Sequence, residues 1–154
     1  MEPTTLSPAL DATRLRAWRR FLEAHAALIG VLEHELREQE DLPLAWYDVL
    51  VHLAEAPDDR LRMQDLADAV LLSKSGLTRL VDRMEGDGLV ERQACKTDRR
   101  GTFAVLTPRG RKTLREAAPA HLDGVATHFG EHLSESEAEL LAEVLERILG
   151  SLDN

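Results

Sequence analysis

Between positions 73 and 83 the chain sets small hydroxyls and long cations close together: Ser73, Lys74, Ser75, Thr78, Arg79 and Arg83. Ser75, Thr78, Arg79 and Asp82 recur at three and four residues, the interval at which side chains share one helix face. Hydroxyls and guanidiniums so arranged make and accept hydrogen bonds. Ser75, Thr78 and Arg79 have the reach and chemistry for base edges, and Lys74 and Arg83 for phosphates. A second cationic group, Lys96, Arg99 and Arg100 with Asp98 beside them, fills a short connection that ends in Gly101.

The elements that must position these groups are legible on either side. Met63 to Val70 is a short amphipathic segment with Leu66, Ala67 and Val70 at helical spacing. A break at Leu71-Leu72 follows, and Ser73 stands where a helix N-cap belongs. Leu77, Leu80, Val81 and Met84 then form an apolar stripe opposite the polar face. This spacing predicts a helix-turn-helix whose second helix suits a major groove. Gly86-Asp87-Gly88 supplies a turn, and Leu89 to Ala94 and Thr102 to Leu106 read as two strands around the cationic tip. A β-hairpin beside a recognition helix is a wing. Taken singly, the polar helix face reads as a solvated surface and the basic hairpin as a plain loop. Both together, in this order, favour DNA binding.

The segments LSKSGLTRLVDRMEGDGLVER, DRR and VLTPRG, all between Leu72 and Gly110, resemble the MarR family (multiple antibiotic resistance regulators) of bacterial transcription factors. The resemblance implies an obligate dimer on pseudo-palindromic double-stranded DNA, acting as a repressor that a small-molecule effector releases. It also implies that Arg100 enters the minor groove while Asp98 holds the loop that carries it; a plain turn-forming role is the alternative for Asp98. Trp18, His25, Trp46 and Tyr47 are the residues that would line a pocket for an aromatic effector. Aromatics at helical spacing, and a histidine in a helix seam, are otherwise core or interface residues.

Charge distribution supports a nucleic-acid partner despite a net charge of −9 over 154 residues. From Leu72 to Arg115 there are 11 Lys/Arg against 5 Asp/Glu, and elsewhere 8 against 23. The positive charge is gathered where the motif requires it. A hydrophobic share of 44% with 31% charged residues describes a globular chain, with no apolar run long enough for a membrane and no signal peptide expected. The single cysteine excludes an internal disulfide and fits a cytoplasmic location.

The expected architecture is mainly α with a small β-hairpin wing (α+β): a winged helix-turn-helix with long N- and C-terminal dimerisation helices. Residues 1–10 read as a flexible tail, 41–107 as the DNA-binding domain, and 11–40 with 108–154 as the helical dimerisation region. Ala12 to Glu40 is a helix with a seam of Leu15, Trp18, Leu22, His25, Ile29, Leu32 and Leu36. Leu44 to Glu55 is a second, with Trp46, Val49, Leu50 and Leu53 expected inward. Arg60 to Arg62 is expected as a third short strand. Thr107-Pro108 starts a helix running to about Gly130, with Leu114, Ala118, Leu122, Val125 and Phe129 on its apolar side and a kink at Pro119. Ser134 and Glu137 form a capping box ahead of a last helix bearing Leu140, Leu141, Val144, Leu145, Ile148 and Leu149. These stripes exceed what one small domain can cover, so a two-fold homodimer is expected.

Other constellations are weaker. Cys95 reads as an ordinary, partly exposed cysteine; Arg92 and Lys96 nearby would favour a thiolate, leaving a redox sensor as the alternative. In the family it resembles, however, the oxidation-sensing branch has its cysteine near the N-terminus. His128 and His132 have zinc-pair spacing and His121 would share their face, but surface or seam histidines are the favoured reading. No nucleophile, acid/base set or phosphate loop points to an enzyme, and no cofactor or metal is expected. The remaining alternatives are a metal- or redox-responsive regulator of the same fold, or a winged-helix module for protein contacts.

Overall fold

A computed structural model of the chain describes residues 9–71, 75–97 and 101–153. Helix α1 spans Ala12–Glu40, started by the Asp11 carboxylate accepting from the Arg14 backbone and closed at Asp41, which adopts a left-handed conformation. Helix α2, Leu44–Glu55, has proline at its N-cap and so no capping side chain of its own. Glu33 of α1 takes that part, its carboxylate accepting the Leu44 N–H at 2.6 Å. Leu32 and Leu36 of α1 also join the residues of α2 in one core.

Strand β1 (Arg60–Arg62) follows a 3-10 turn at Pro57–Asp59, then α3 (Met63–Ala69) and α4 (Leu77–Gly86). Strands β2 (Val90–Ala94) and β3 (Thr102–Leu106) form the wing. The sheet is antiparallel in the order β1-β3-β2, with Arg62 opposite Phe103 and Gln93 opposite Phe103 on the other side. The expected third strand is therefore present. Helices α5 (Pro108–His128) and α6 (Glu135–Leu152) complete the chain.

The core lies where α2, α3, α4 and the sheet converge: Leu50, Leu53, Leu66, Val81, Met84 and Ala104 are fully buried. In α2, Val49, Leu50 and Leu53 face inward as expected, but Tyr47 is buried where Trp46 is only half-buried. The start of α5 is locked to the turn that leads into β2. Thr107 Oγ1 accepts from the Gly110 N–H at 3.0 Å and donates to the Gly88 carbonyl at 2.6 Å. Gly110 lies so close to Leu89 that a Cβ would stand 2.0 Å from its carbonyl oxygen.

Two expectations need correction. The recognition helix begins at Leu77, with Gly76 as its N-cap at φ 77°, so Ser75 stands in a turn ahead of the helix. A left-handed residue cannot sit inside an α-helix, and glycine is the residue that adopts it freely. Ser73, the expected cap, lies outside the described residues. The fully buried positions of α5 are Gly110, Ala117 and Gly124, while Leu114, Ala118 and Val125 of the expected stripe are half-buried against the core. Leu122 remains 59% exposed and Phe129 is also exposed. The crossing with α1 is close enough that a Cβ on Gly124 would meet Leu32 at 2.9 Å, so only small residues fit there. Helix α5 ends at His128, close to the expected Gly130, with Pro119 inside it. The capping box at Ser134 and Glu137 is present.

Candidate nucleic-acid interface

Helix α4 sorts its side chains as the sequence implies. Leu77, Val81 and Met84 are buried and Leu80 half-buried, while Thr78, Arg79, Asp82 and Arg83 are exposed with Ser75 just ahead of them. The turn between α3 and α4 is anchored from below: Asp48 of α2 accepts the Leu71 N–H at 2.8 Å. A buried stripe and an anchored turn fix the direction in which the polar face points.

The arginines divide into two groups. Arg92 of β2 is ion-paired to Asp82, donates to the Thr78 carbonyl at 3.1 Å and lies 3.5 Å from Glu85. Its backbone N–H also bonds Glu85 at 2.7 Å. Arg111 is paired with Asp59. These cations are committed to the fold. Among the described residues, Arg79 and Arg83 have no carboxylate partner. A guanidinium with no internal partner on a fixed helix face is available to an external anion.

The wing holds its stem together by the ladder and by the Cys95 N–H donating to the Gly101 carbonyl at 2.9 Å. Lys96 is exposed beside it. Asp98, Arg99 and Arg100 at the tip, like Ser73 and Lys74, lie outside the described residues. Cys95 is buried, at 7% exposure, with its Sγ 3.2 Å from Thr97 Oγ1. The expectation of partial exposure is overturned because the sulfur packs into the neck of the hairpin. Nor is Arg92 placed to activate a thiolate, since α4 holds its guanidinium.

Between the N-terminus of α3, the polar face of α4 and the base of the wing lies a cleft of about 550 Å³. Arg62, Gln64, Thr78, Asp82, Arg92 and Thr102 line it. Arg62 and its strand neighbour Arg60 both stack on Phe103, with guanidinium carbons 5.6 and 4.5 Å from the ring centre. Sequence reasoning placed these arginines in a strand and missed their surface role. The available signal was the alternation Arg-Leu-Arg, which puts both cations on one sheet face and a half-buried leucine on the other.

The residues expected for an effector do not gather in one place within the chain. Trp18 stacks on Phe21 at 6.2 Å, and Phe21 lies 6.5 Å from His25, all along the outer half of α1. Tyr47 packs instead against His121 of α5 at 4.5 Å, and Trp46 sits at the edge of the core. Burial raises the Tyr47 hydroxyl above its usual pKa and lowers that of His121, whose Nδ1 is enclosed without a hydrogen-bond partner. His128 bonds Glu35 at 2.6 Å, and His132 lies in the 3-10 turn that follows. The described residues hold no cluster of three or more His, Cys, Asp or Glu suited to a metal.

Comparison with known proteins agrees with this geometry. Residues 40–101 match the MarR family. The transcriptional regulator HosA of Escherichia coli is 31% identical over 122 residues, which cover 77% of this chain and 88% of HosA. The crystal structure of AbsC, a MarR family transcriptional regulator from Streptomyces coelicolor, superposes with a TM-score of 0.85 at 41% identity, covering 94% of this chain and 97% of AbsC. A second Streptomyces coelicolor MarR family regulator, Sco3205, was solved in complex with DNA; it gives a TM-score of 0.86 at 36% identity over 93% of this chain and 90% of its own. With a helix-turn-helix and a two-stranded wing on this likeness, the chain belongs to the MarR family of winged-helix transcription factors.

Proposed function

We propose that the protein is a homodimeric repressor that binds a pseudo-palindromic double-stranded operator and leaves it when a small-molecule effector binds. The observation that carries this reading is the fixed polar face of α4, where Thr78, Arg79 and Arg83 are exposed and both arginines lack a carboxylate partner among the described residues. Ser75, Thr78 and Arg79 reach base edges, and Lys74 and Arg83 contact phosphates. Lys96, Arg99 and Arg100 carry the wing along the adjoining minor groove, with Asp98 shaping the tip. Residues 41–107 form the reading head, while 11–40 and 108–154 join it to its partner. Two heads about 34 Å apart, one turn of DNA, would then face successive major grooves. The effector is an aromatic molecule held in the helical region, where Tyr47 lies against α5, Trp46 at the edge of the core, and Trp18 and His25 along α1.

The experiment is a gel shift with the DNA upstream of the protein's own gene, titrated at several salt concentrations. Arg79→Ala should weaken specific binding by about 1–3 kcal/mol and relax preference at one base position. Unchanged affinity and sequence preference would place this helix outside the groove. Repression is checked by a promoter reporter, which should rise when the gene is deleted.

A further inference from the structure

We infer that Arg60 and Arg62, laid together on the ring of Phe103, form a phosphate clamp that extends the duplex contact from the recognition helix onto the outer face of the wing sheet. This rests on the DNA-binding reading and adds a surface to it. Positions 60 and 62 point to the same side of β1, and Phe103 is the cross-strand neighbour of Arg62. The two guanidinium carbons stand 4.5 and 5.6 Å from the ring centre.

Holding two like charges over one ring is unfavourable unless an anion offsets it. None does so within the described chain, where neither arginine has a carboxylate partner. Glu91 lies on the same sheet face but two strands away, across Val105 from Arg60, and makes no ion pair with it. By contrast Arg92 and Arg111, which serve the fold, are each matched to an aspartate. The ring confines the guanidiniums to a narrow range of orientations, so less freedom is lost when they bind, and the planar fork matches phosphate oxygens.

Position decides which anion. Arg62 lines the cleft shared with Thr78 of α4 and Thr102 of the wing, and with Arg60 it also lines a second hollow of about 300 Å³ beside Lys96 and Thr97. Arg62 therefore borders the helix that would enter the major groove, and the pair lies against the stem of the wing. A duplex seated on α4 would run its backbone along this line.

The test measures affinity for the operator and for unrelated duplexes as a function of salt, using wild type, Arg60→Ala/Arg62→Ala, Phe103→Leu and Arg79→Ala in the full-length protein. Loss of two phosphate contacts should lower the slope of log affinity against log salt by about 2. Between 50 and 200 mM salt, the double variant should accordingly lose roughly tenfold less affinity than wild type does. Its affinity should fall equally for operator and unrelated DNA. Phe103→Leu keeps both charges and should still bind more weakly, because the platform is gone. Melting curves identify any variant that does not fold; Arg60→Gln/Arg62→Gln, which retains polar side chains, then takes the double variant's place. A wild-type salt slope in the folded double variant, alongside weakened specific binding in Arg79→Ala, overturns the clamp and leaves the DNA-binding reading intact. A wild type that binds no duplex overturns both.

Discussion

Arg92 on the first wing strand and Asp82 on the recognition helix form an ion pair that makes helix and wing a single body. The Thr78 carbonyl accepts a further bond from the same guanidinium at 3.1 Å. Asp82 is more than half exposed, so the pair contributes modestly, about 0.5–1 kcal/mol. A double-mutant cycle with Arg92→Met and Asp82→Asn should return a coupling of that size in urea unfolding. Additive effects would show that the wing is held by its ladder alone.

Two glycines are expected to behave differently on substitution by alanine. At Gly110 the new Cβ would meet the Leu89 backbone oxygen at 2.0 Å and Leu106 at 2.8 Å, and backbone cannot move aside cheaply. Gly110→Ala should therefore cost about 3 kcal/mol or more. Gly124→Ala meets the ends of the Glu35 and Leu32 side chains at 2.9 Å, which can shift, so about 1–2 kcal/mol is expected. Chemical denaturation gives the order, and a larger loss at Gly124 would contradict the close seating of α5 on β2.

His121 makes stability depend on pH. Burial against Tyr47 lowers its folded pKa below 6.5, so near and below that pH the unfolded chain binds more protons than the folded one. The contribution is complete above about pH 6.5 and is lost as pH falls from there through the lower folded value. Urea midpoints at pH 7.5 and 5.5 should separate more in wild type than in His121→Gln. Equal separation in the two proteins would show that His121 does not titrate differently on folding.

The exposed apolar residues predict association. Leu122, Leu140, Ile148 and Leu149 stand half or more exposed on α5 and α6, and Trp18 does so on α1. Such an area is unfavourable in water and is the mark of a partner surface. Sedimentation should give a dimer at micromolar concentration, and Leu140→Glu/Leu149→Glu should shift it toward monomer. A wild type that sediments as a monomer would remove the two-fold operator from the proposed function.

The sequence by itself determined the helices, the last helix's capping box and the strands of the wing. Those follow from local causes: the bounds of α1 and α2, the capping box at Ser134, and the alternation in β3 each depend on residues a few positions apart. The polar face of α4 was legible for the same reason, since helical spacing alone sorts Thr78 and Arg79 from Val81 and Met84. Tertiary structure decided what lies across space. Which side of α5 meets α1 depended on how closely the helices cross, and Gly124 with Ala117 won over Leu122 because only small residues fit. The burial of Cys95, the capture of Arg92 by α4 and the stacking of Arg60 and Arg62 on Phe103 depend on strand register and on packing between distant segments. A one-dimensional pattern gives each side chain its face, but its partner is set only when the elements pack.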